Sequence, residues 1–332
     1  MVIKMKKRKI SAFFILTILL LGLFIVSVNL GSIKVTYGEL FRGLFIEYNE
    51  KVATIYDLRF PRIIIAMVTG AGLAVSGVLF QSVLKNPLAD PGIIGISAGS
   101  AFVSVLIVAF FPMWYFFTPL FSFLGGILAC VLVYSLSWKA GFSPLRIILV
   151  GVAINAVFTG LMESFGSMSG QNYSGAAAIV NANISMKTWK DVRLLTGYVT
   201  LGLILAIFAA TRCNLLALED KTIRSLGVNV NALRAAISII AVLLASITTA
   251  VAGSISFIGL IVPHIGRLMV GSDHKFLIPF SMLFGAFTML LADTVGRLIA
   301  YPYEISAAII MSVIGGPFFI VLLKRSDRTY GG

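Results

Sequence analysis

The chain alternates long apolar runs with short polar segments, and this pattern predicts its fold class. Ten runs approach the length of a bilayer-crossing helix, which needs about 20 residues and must satisfy its own backbone hydrogen bonds. The eighth run is short and contains Pro263, His264 and Arg267, so we expect a half-span or a tilted helix there. The ten runs lie near residues 11–30, 60–82, 93–111, 117–138, 145–163, 193–211, 234–252, 255–270, 277–299 and 305–323.

Composition restricts the class of protein in the same direction. Hydrophobic residues make up 59% of the 332 residues, charged residues only 12%, and the mean hydropathy is +1.01. A soluble domain carries roughly 45–50% apolar and about 25% charged residues, which excludes a soluble enzyme, a nucleic-acid binder and a disordered chain. We predict an all-α, polytopic membrane protein of about ten transmembrane helices, with residues 1–332 forming a single transmembrane domain.

The distribution of cations predicts the orientation of the chain. The net charge is +13, and with ten spans most of the 26 Lys and Arg residues fall on the side of the N-terminus. Because cytoplasmic loops are rich in Lys and Arg, we expect both termini in the cytoplasm and the protein in the cell membrane. The first run exceeds a signal-peptide core and no A-x-A site ends it, which predicts a retained span. The main cytoplasmic segments are then residues 1–10, the loop 212–233 and residues 324–332.

Signatures of catalysis and of cofactor binding are missing from the sequence. The dipeptide Gly-Lys of a P-loop does not occur, so we expect no ATP site of that type and no cofactor. The two cysteines and two histidines show no metal-ligand spacing, and no nucleophile–base pair points to an intramembrane enzyme. Asp293 and Arg297 lie four residues apart on one helix face, and the sequence leaves open whether they pair.

Two polar segments between the early runs have recognisable local features. Residues 31–59 form a long loop with room for a short helix of its own. In the segment 86–92, Asp90 is a favourable N-cap and Pro91 suits the first helical position, so the segment is either the start of the third apolar helix or only a rigid turn.

The loop 216–227 predicts one or two short amphipathic helices outside the membrane. Acidic residues come first, Arg224 comes late, and Gly227 can end the helix. Ile223 and Leu226 are expected to share a face. Such a helix either lies on the lipid surface or docks on a partner, and amphipathicity alone does not distinguish the two.

Five motifs occur along the chain in order: RFPR at 59–62, NPLADPG at 86–92, GLIVPHIGR at 259–267, ADTVGR at 292–297 and GGPFF at 315–319. Together they make residues 10–325 resemble the iron-chelate and cobalamin uptake permeases of ATP-binding cassette (ABC) importers. The resemblance implies a type II ABC importer permease fold with ten helices. It also implies a dimer with a second permease copy, identical or homologous, two cytoplasmic ATPase subunits that bind the ATP, and an extracytoplasmic binding protein.

The resemblance also implies roles for individual residues. The arginines expected to face outward and receive acidic residues of the binding protein are Arg59, Arg62 and Arg297. The residues expected to couple the loop 215–227 to an ATPase subunit are Leu218, Glu219, Asp220, Arg224, Leu226 and Gly227. The residues expected near a cytoplasmic gate are Asn86, Leu88 and Ser143, and Asn155 of the fifth helix is expected to line the pathway.

From the residues and the resemblance together, we expect a permease subunit that has no ATPase site and carries an iron chelate, either a ferric siderophore or haem. A cobalamin permease is the alternative within the same family. An ion-coupled secondary transporter is a second alternative, but it would need carboxylates or a broken helix near the middle of the membrane, and the sequence offers few. The expected partners are the lipid bilayer and the subunits above, with no nucleic acid.

Overall fold

The computed structural model describes residues 2–31, 33–137, 144–169, 179, 181–300 and 302–330, so Ser143 lies outside the described residues. Over this part the chain is helical and has no strand. The described residues form twelve α-helices. A 3₁₀ helix, Pro112–Phe117, lies directly before the fifth of them. In chain order they are α1 (Val2–Asn29), α2 (Tyr37–Phe45), α3 (Glu50–Leu84), α4 (Ile96–Phe110), α5 (Thr118–Ser137), α6 (Pro144–Ser169), α7 (Trp189–Leu216), α8 (Asp220–Ser225), α9 (Val230–Ala252), α10 (Ile258–Val270), α11 (His274–Ile299) and α12 (Ala307–Tyr330).

All ten predicted runs are helices, and the protein is a multi-pass membrane protein. Within the described residues, eight helices are long and apolar enough to cross a membrane: α1, α3, α5, α6, α7, α9, α11 and α12. The other two, α4 and α10, are apolar but have only 15 and 13 residues. At 1.5 Å per residue they extend about 22 and 20 Å, less than the roughly 30 Å of a bilayer core. The shortness of α10 was expected, whereas that of α4 was not.

The segment before the second run is more ordered than its polarity suggests. The expected short helix in residues 31–59 is α2, and its first turn is closed by a capping box of Thr36 and Glu39. α3 begins at Glu50, ten residues before the apolar run, because the side chain of Asn49 accepts two backbone hydrogen bonds and caps the helix. α3 therefore extends about ten residues beyond the apolar run at its N-terminal end.

Of the two alternatives for the segment 86–92, the structure has the rigid turn, and the third apolar helix, α4, does not begin at Asp90. The carboxylate of Asp90 instead accepts hydrogen bonds from the backbone N–H groups of Gly92 (2.8 Å) and Ile93 (3.2 Å), which closes a turn ahead of the helix. α4 begins only at Ile96, because Gly95 adopts a left-handed φ of +82° that a helix does not contain.

α3 lies at the centre of the bundle and packs against α7, α9, α10 and α11. Its residues 69–84 are all buried. Glycines make the closest approaches possible: a methyl group at Gly70 would collide with the backbone of Gly285 in α11, and one at Gly77 with that of Gly259 in α10. The backbones of three helices therefore meet without side chains between them.

α3 also defines the two ends of the bundle. Arg62 and Lys85 are about 34 Å apart along the helix at 1.5 Å per residue, close to the thickness of a bilayer core. Lys85 contacts Asp220. We call this end the Asp220 end and the opposite one the Arg62 end.

We predict that Gly70→Val destabilises the folded protein by about 1–3 kcal/mol, the usual cost of overpacking, since the new side chain would overlap the backbone of Gly285. Gly197→Val in α7 is the matched control, because no atom lies within 4 Å of an added Cβ there and the change in helix propensity is the same. Thermal unfolding in detergent should give a lower Tm for Gly70→Val. Equal Tm values would contradict the close crossing of α3 and α11.

Candidate functional site

At the Arg62 end, a buried carboxylate joins two helices. Arg62 of α3 donates from Nε to both carboxylate oxygens of Asp293 in α11, at 2.9 and 3.2 Å, and its Nη2 lies 2.8 Å from Asp293 Oδ1. The two side chains are 8% and 1% exposed. Because an unpaired charge would be costly at this depth, the several direct hydrogen bonds are what allow the pair to be buried.

The same carboxylate also pairs with Arg297, one turn later in α11. Arg297 Nε lies 3.2 Å from Asp293 Oδ2, so the pairing that the sequence left open is present. Arg297 also donates to the hydroxyl of Ser27, and its Nη1 lies 3.5 Å from the carbonyl oxygen of Leu30, just after α1. Asp293 therefore faces two cations and links α11 to α3, while Arg297 links α11 to α1.

Glu304, in the loop between α11 and α12, is a second carboxylate at this end. With Asp293 it balances the two positive charges of Arg62 and Arg297. Its Oε2 accepts hydrogen bonds from Arg62 Nη1 at 2.7 Å and from the Ser185 hydroxyl at 2.8 Å, and its side chain is 45% exposed. Partial burial opposes ionisation, but the hydrogen bonds from Arg62 and Ser185 outweigh it and lower the pKa of Glu304. Arg62, Asp293, Arg297 and Glu304 form a neutral group that we call the four-charge cluster.

Arg59 does not belong to the four-charge cluster. Its Nη1 donates to the carbonyl oxygen of Val28 near the end of α1, at 2.9 Å, and its side chain is half-buried. Among the side chains that the structure describes, no carboxylate lies within 4 Å of its guanidinium. All three arginines with an expected docking role thus contact their own chain, and Arg62 and Arg297 are already paired with carboxylates.

A cavity of about 760 Å³ borders the four-charge cluster. Arg62, Asp293 and Glu304 line one side, and residues 181–185, Ser254 and the first turns of α12 line the rest. Its volume falls within the roughly 300–1,000 Å³ of ligand clefts. Across the described part of the chain, no three His, Cys, Asp or Glu side chains come together as a group that could hold a metal ion.

Two of the three expected gate residues, Asn86 and Leu88, lie on the segment that connects α3 to α4. The side chain of Asn86 accepts a hydrogen bond from the backbone N–H of Leu88 at 2.9 Å, and both residues are half-buried. Asn155 of α6 is also half-buried, and a methyl group at Gly95 would lie 3.0 Å from its backbone nitrogen. The structure therefore brings Asn155 to the far end of the segment that begins with Asn86.

Asp90 lies where the two short helices begin. It is 1% exposed, and a methyl group at Gly259, in the first turn of α10, would lie 2.8 Å from Asp90 Oδ2. The side-chain amide of Gln81 donates to the carbonyl oxygens of Ala89 and Gly259, at 3.2 and 3.0 Å. A carboxylate near two helix N-termini is favoured by their dipoles, so Asp90 fastens this junction inside the bundle.

At the Asp220 end, one carboxylate fastens α8 to the bundle. Asp220 Oδ1 lies 3.0 Å from Lys85 Nζ, just after α3, and 3.0 Å from Arg234 Nη2 in α9. Slight burial opposes ionisation, but the hydrogen bonds and charges of the two cations outweigh it and lower the pKa of Asp220. We call Lys85, Asp220 and Arg234 the Asp220 clamp. Its two cations were not identified from the sequence, because only the fold brings them to Asp220.

α8 presents a mixed polar and apolar surface away from the bundle. The predicted helix end at Gly227 is confirmed, with a left-handed φ of +77°. The prediction that Ile223 and Leu226 share a face is wrong: Ile223 is completely buried, whereas Leu226 follows the helix end and is 60% exposed. Of the residues expected to couple to an ATPase, those that are exposed are Leu218, Glu219, Arg224, Leu226 and Gly227.

Comparison with known proteins identifies the family. The model of the FecCD transport family matches residues 18–325. The chain belongs to the FecCD transport family. It is 40% identical over 328 residues, 99% of each chain, to the "Probable heme-iron transport system permease protein IsdF" of Staphylococcus aureus strain bovine RF122 / ET3-1. The protein of the same name from strain Newman shows the same identity and coverage.

Solved structures share the fold of this FecCD family chain. "An inward-facing conformation of a putative metal-chelate type ABC transporter" matches with a TM-score of 0.79 and 30% identity, covering 94% of this chain and 98% of the other. PsaBC from Streptococcus pneumoniae, in complex with Fab, matches with a TM-score of 0.58 and 17% identity over 86% and 95% of the two chains, which shows the fold alone. The predicted type II ABC importer permease fold is confirmed.

We predict unequal effects of neutralising the two carboxylates of the four-charge cluster. Asp293→Asn leaves two buried cations with Glu304 alone and should cost about 3–5 kcal/mol, as for other broken buried ion pairs. Glu304→Gln removes a partner that is nearly half exposed and should cost at most about 1 kcal/mol. The Tm in detergent should fall much further for Asp293→Asn. A larger fall for Glu304→Gln would show that the exposed carboxylate holds the cluster together.

Proposed function

We propose that this chain is the permease subunit of an ABC importer for an iron chelate, with haem as the first candidate cargo. The observation that carries the proposal is the 40% identity, over 99% of the chain, to a protein named as a heme-iron transport system permease. The 30% identity to a metal-chelate type ABC transporter supports the same class of cargo. A ferric siderophore is the second candidate, because it is also an iron chelate.

In this proposal the Asp220 end faces the cytoplasm, and two separate ATPase subunits contact α8 of two permease copies. The exposed Leu218, Arg224 and Leu226 support a protein contact here, since they offer both an apolar and a cationic group. The Asp220 clamp ties α8 directly to α3 and α9. A displacement of α8 by the ATPases would therefore move the central helix of the bundle.

At the Arg62 end, we propose that an extracytoplasmic binding protein docks by exchange of carboxylates. Arg62 is already paired with the exposed Glu304, so an acidic group of the binding protein would replace Glu304 rather than meet a free cation. Arg59 needs no such exchange, because it contacts only a backbone carbonyl among the described hydrogen bonds. Arg297 is held by the buried Asp293 and would contribute mainly to the local positive potential.

The proposed pathway runs along the interface of two permease copies, identical or homologous, with its inner gate at the α3–α4 connection. Asn86, Leu88 and Ser143 are assigned to the gate and Asn155 to the pathway by the family resemblance. The packing of α6 supports this assignment, because a methyl group at Gly151 would lie 2.7 Å from the Cα of Ile94, so that α6 and the connection would have to move together.

The pairing of two short helices around Asp90 is the observation that favours an ion-coupled secondary transporter instead. Broken helices beside a buried carboxylate are common at ion sites in such carriers. Against this, Asp90 already accepts two hydrogen bonds from its own turn and lies beside the first turn of α10, so its oxygens serve a structural role. The ABC importer therefore accounts for more of the observations.

The proposed function predicts ATP-dependent uptake of haem. The permease, purified with its ATPase subunits and reconstituted in vesicles, should accumulate haem delivered by its binding protein when ATP is present on the Asp220 side. A protonophore should leave uptake unchanged, and the isolated chain should hydrolyse no ATP. Uptake that needs no ATP and collapses with the protonophore would establish the secondary transporter, while uptake of a ferric siderophore alone would replace haem as the cargo.

We further predict that Arg224→Glu uncouples ATP hydrolysis from transport, because it reverses the charge on the exposed surface of α8. Arg42→Glu is the matched control, since Arg42 is equally exposed on α2, at the Arg62 end. Arg224→Glu should reduce uptake and the co-purification of ATPase subunits several-fold, and Arg42→Glu should leave both within twofold. Normal co-purification and uptake with Arg224→Glu would contradict the assignment of α8 as the ATPase contact.

A further inference from the structure

A second cavity, of about 590 Å³, lies between α5 and α9 near the Asp220 end. It takes no part in the proposed pathway, and its volume is within the roughly 300–1,000 Å³ typical of ligand clefts. Its walls are apolar toward the middle of the bundle and polar toward the Asp220 end. The apolar lining residues are Ile127, Cys130, Val131, Ala235, Ile239 and Val242, and the polar ones are Tyr134, Ser135, Asn231, Arg234 and Ser238.

This groove opens sideways toward the acyl chains of the bilayer. Val131 and Ile239, on its two sides, are about half exposed. Leu124 and Leu128 are exposed on the preceding two turns of α5 and continue the same apolar face. In a membrane-spanning helix such a face contacts lipid tails, which are as apolar as leucine. A lipid chain can therefore enter the groove from the leaflet at the Asp220 end.

The polar end of the groove carries positive charge. Arg234 lines it and belongs to the Asp220 clamp, in which one carboxylate faces two cations, so that the clamp has a net charge of +1. Lys221 and Arg224 add further exposed cations on the neighbouring α8. Basic pockets between transmembrane helices, near the membrane surface, suit the headgroups of anionic lipids.

We propose that the groove between α5 and α9 binds one anionic phospholipid. Its acyl chain lies against Cys130, Val131 and Val242, and its phosphate lies at Arg234 and Asn231. The phosphate and Asp220 then share Arg234, so the lipid becomes part of the contact that fastens α8. This proposal rests on insertion in a membrane and is independent of the cargo and of the ATPase contact.

Native mass spectrometry of the full-length chain, in whatever assembly it is purified, tests the proposal, with phosphatidylglycerol and phosphatidylcholine of identical tails as probes. The wild type should retain one phosphatidylglycerol per permease chain in preference to phosphatidylcholine. Ala235→Trp, which fills the groove without changing the clamp, should remove this bound lipid. Arg234→Gln should reduce the preference about fivefold, and Asp220→Asn, which removes one negative charge from beside Arg234, should keep or increase it.

Ile204→Trp is the matched control for the filled groove, because it places the same side chain on a lipid-exposed position of α7. It should retain the lipid like the wild type. Ser135→Trp fills the same groove from α5 and replaces Ala235→Trp if that variant does not assemble.

Equal retention of the two lipids by the wild type, or a preference that survives both Arg234→Gln and the filled groove, would overturn the proposal. A disulfide between two copies of Val131→Cys would also overturn it, since a second chain would then cover the groove.

Discussion

The close packing of α3 against its neighbours is the constraint on which the rest of the structure depends. Glycine-to-glycine contacts with α10 and α11 leave no side chains between the backbones, and residues 69–84 are wholly buried. Close-packed helices do not deform continuously, so α3 moves as a unit or not at all. Because its two ends carry the four-charge cluster and Lys85 of the Asp220 clamp, events at one membrane face are mechanically connected to events at the other, about 34 Å away.

The two ends use one electrostatic arrangement with different degrees of burial. In each, a single aspartate faces two cations on different helices or turns, but Asp293 is almost fully buried and Asp220 is about one-third exposed. A buried pair adds little net stability relative to apolar packing, yet it is costly to break because a charge is then left uncompensated. The ion pair of Arg62 with Asp293 is therefore the more costly to break, and the exposed member of the four-charge cluster is Glu304. The Asp220 end is more exposed to solvent, so its ion pairs can break and re-form at a lower cost in free energy.

Hydropathy predicted the ten apolar helices and their order, because a bilayer permits few alternatives to a helix. It did not predict that α4 is too short to cross the bilayer core, since the apolar residues at 91–95 look the same whether they form a turn or a helix. The pair of Asp293 and Arg297 was visible as a four-residue spacing, whereas Glu304 and Arg62 lie 242 positions apart and share no pattern. Ile223 and Leu226 were misjudged for a related reason: helical spacing holds only while the helix continues, and α8 ends before Leu226.

The stretch 253–257, between α9 and α10, is not helical. It begins with Gly253, whose φ is +80°, and leads to Gly259, which packs on Gly77, about 12 Å along α3 from Lys85, so this non-helical main chain runs inside the thickness of the membrane. Non-helical backbone is tolerated at such depth only when other parts of the protein shield it or when it borders water. Ser254 does border the larger cavity. Peptide groups beside Ser254 can therefore form hydrogen bonds with water in that cavity, although they lie at membrane depth.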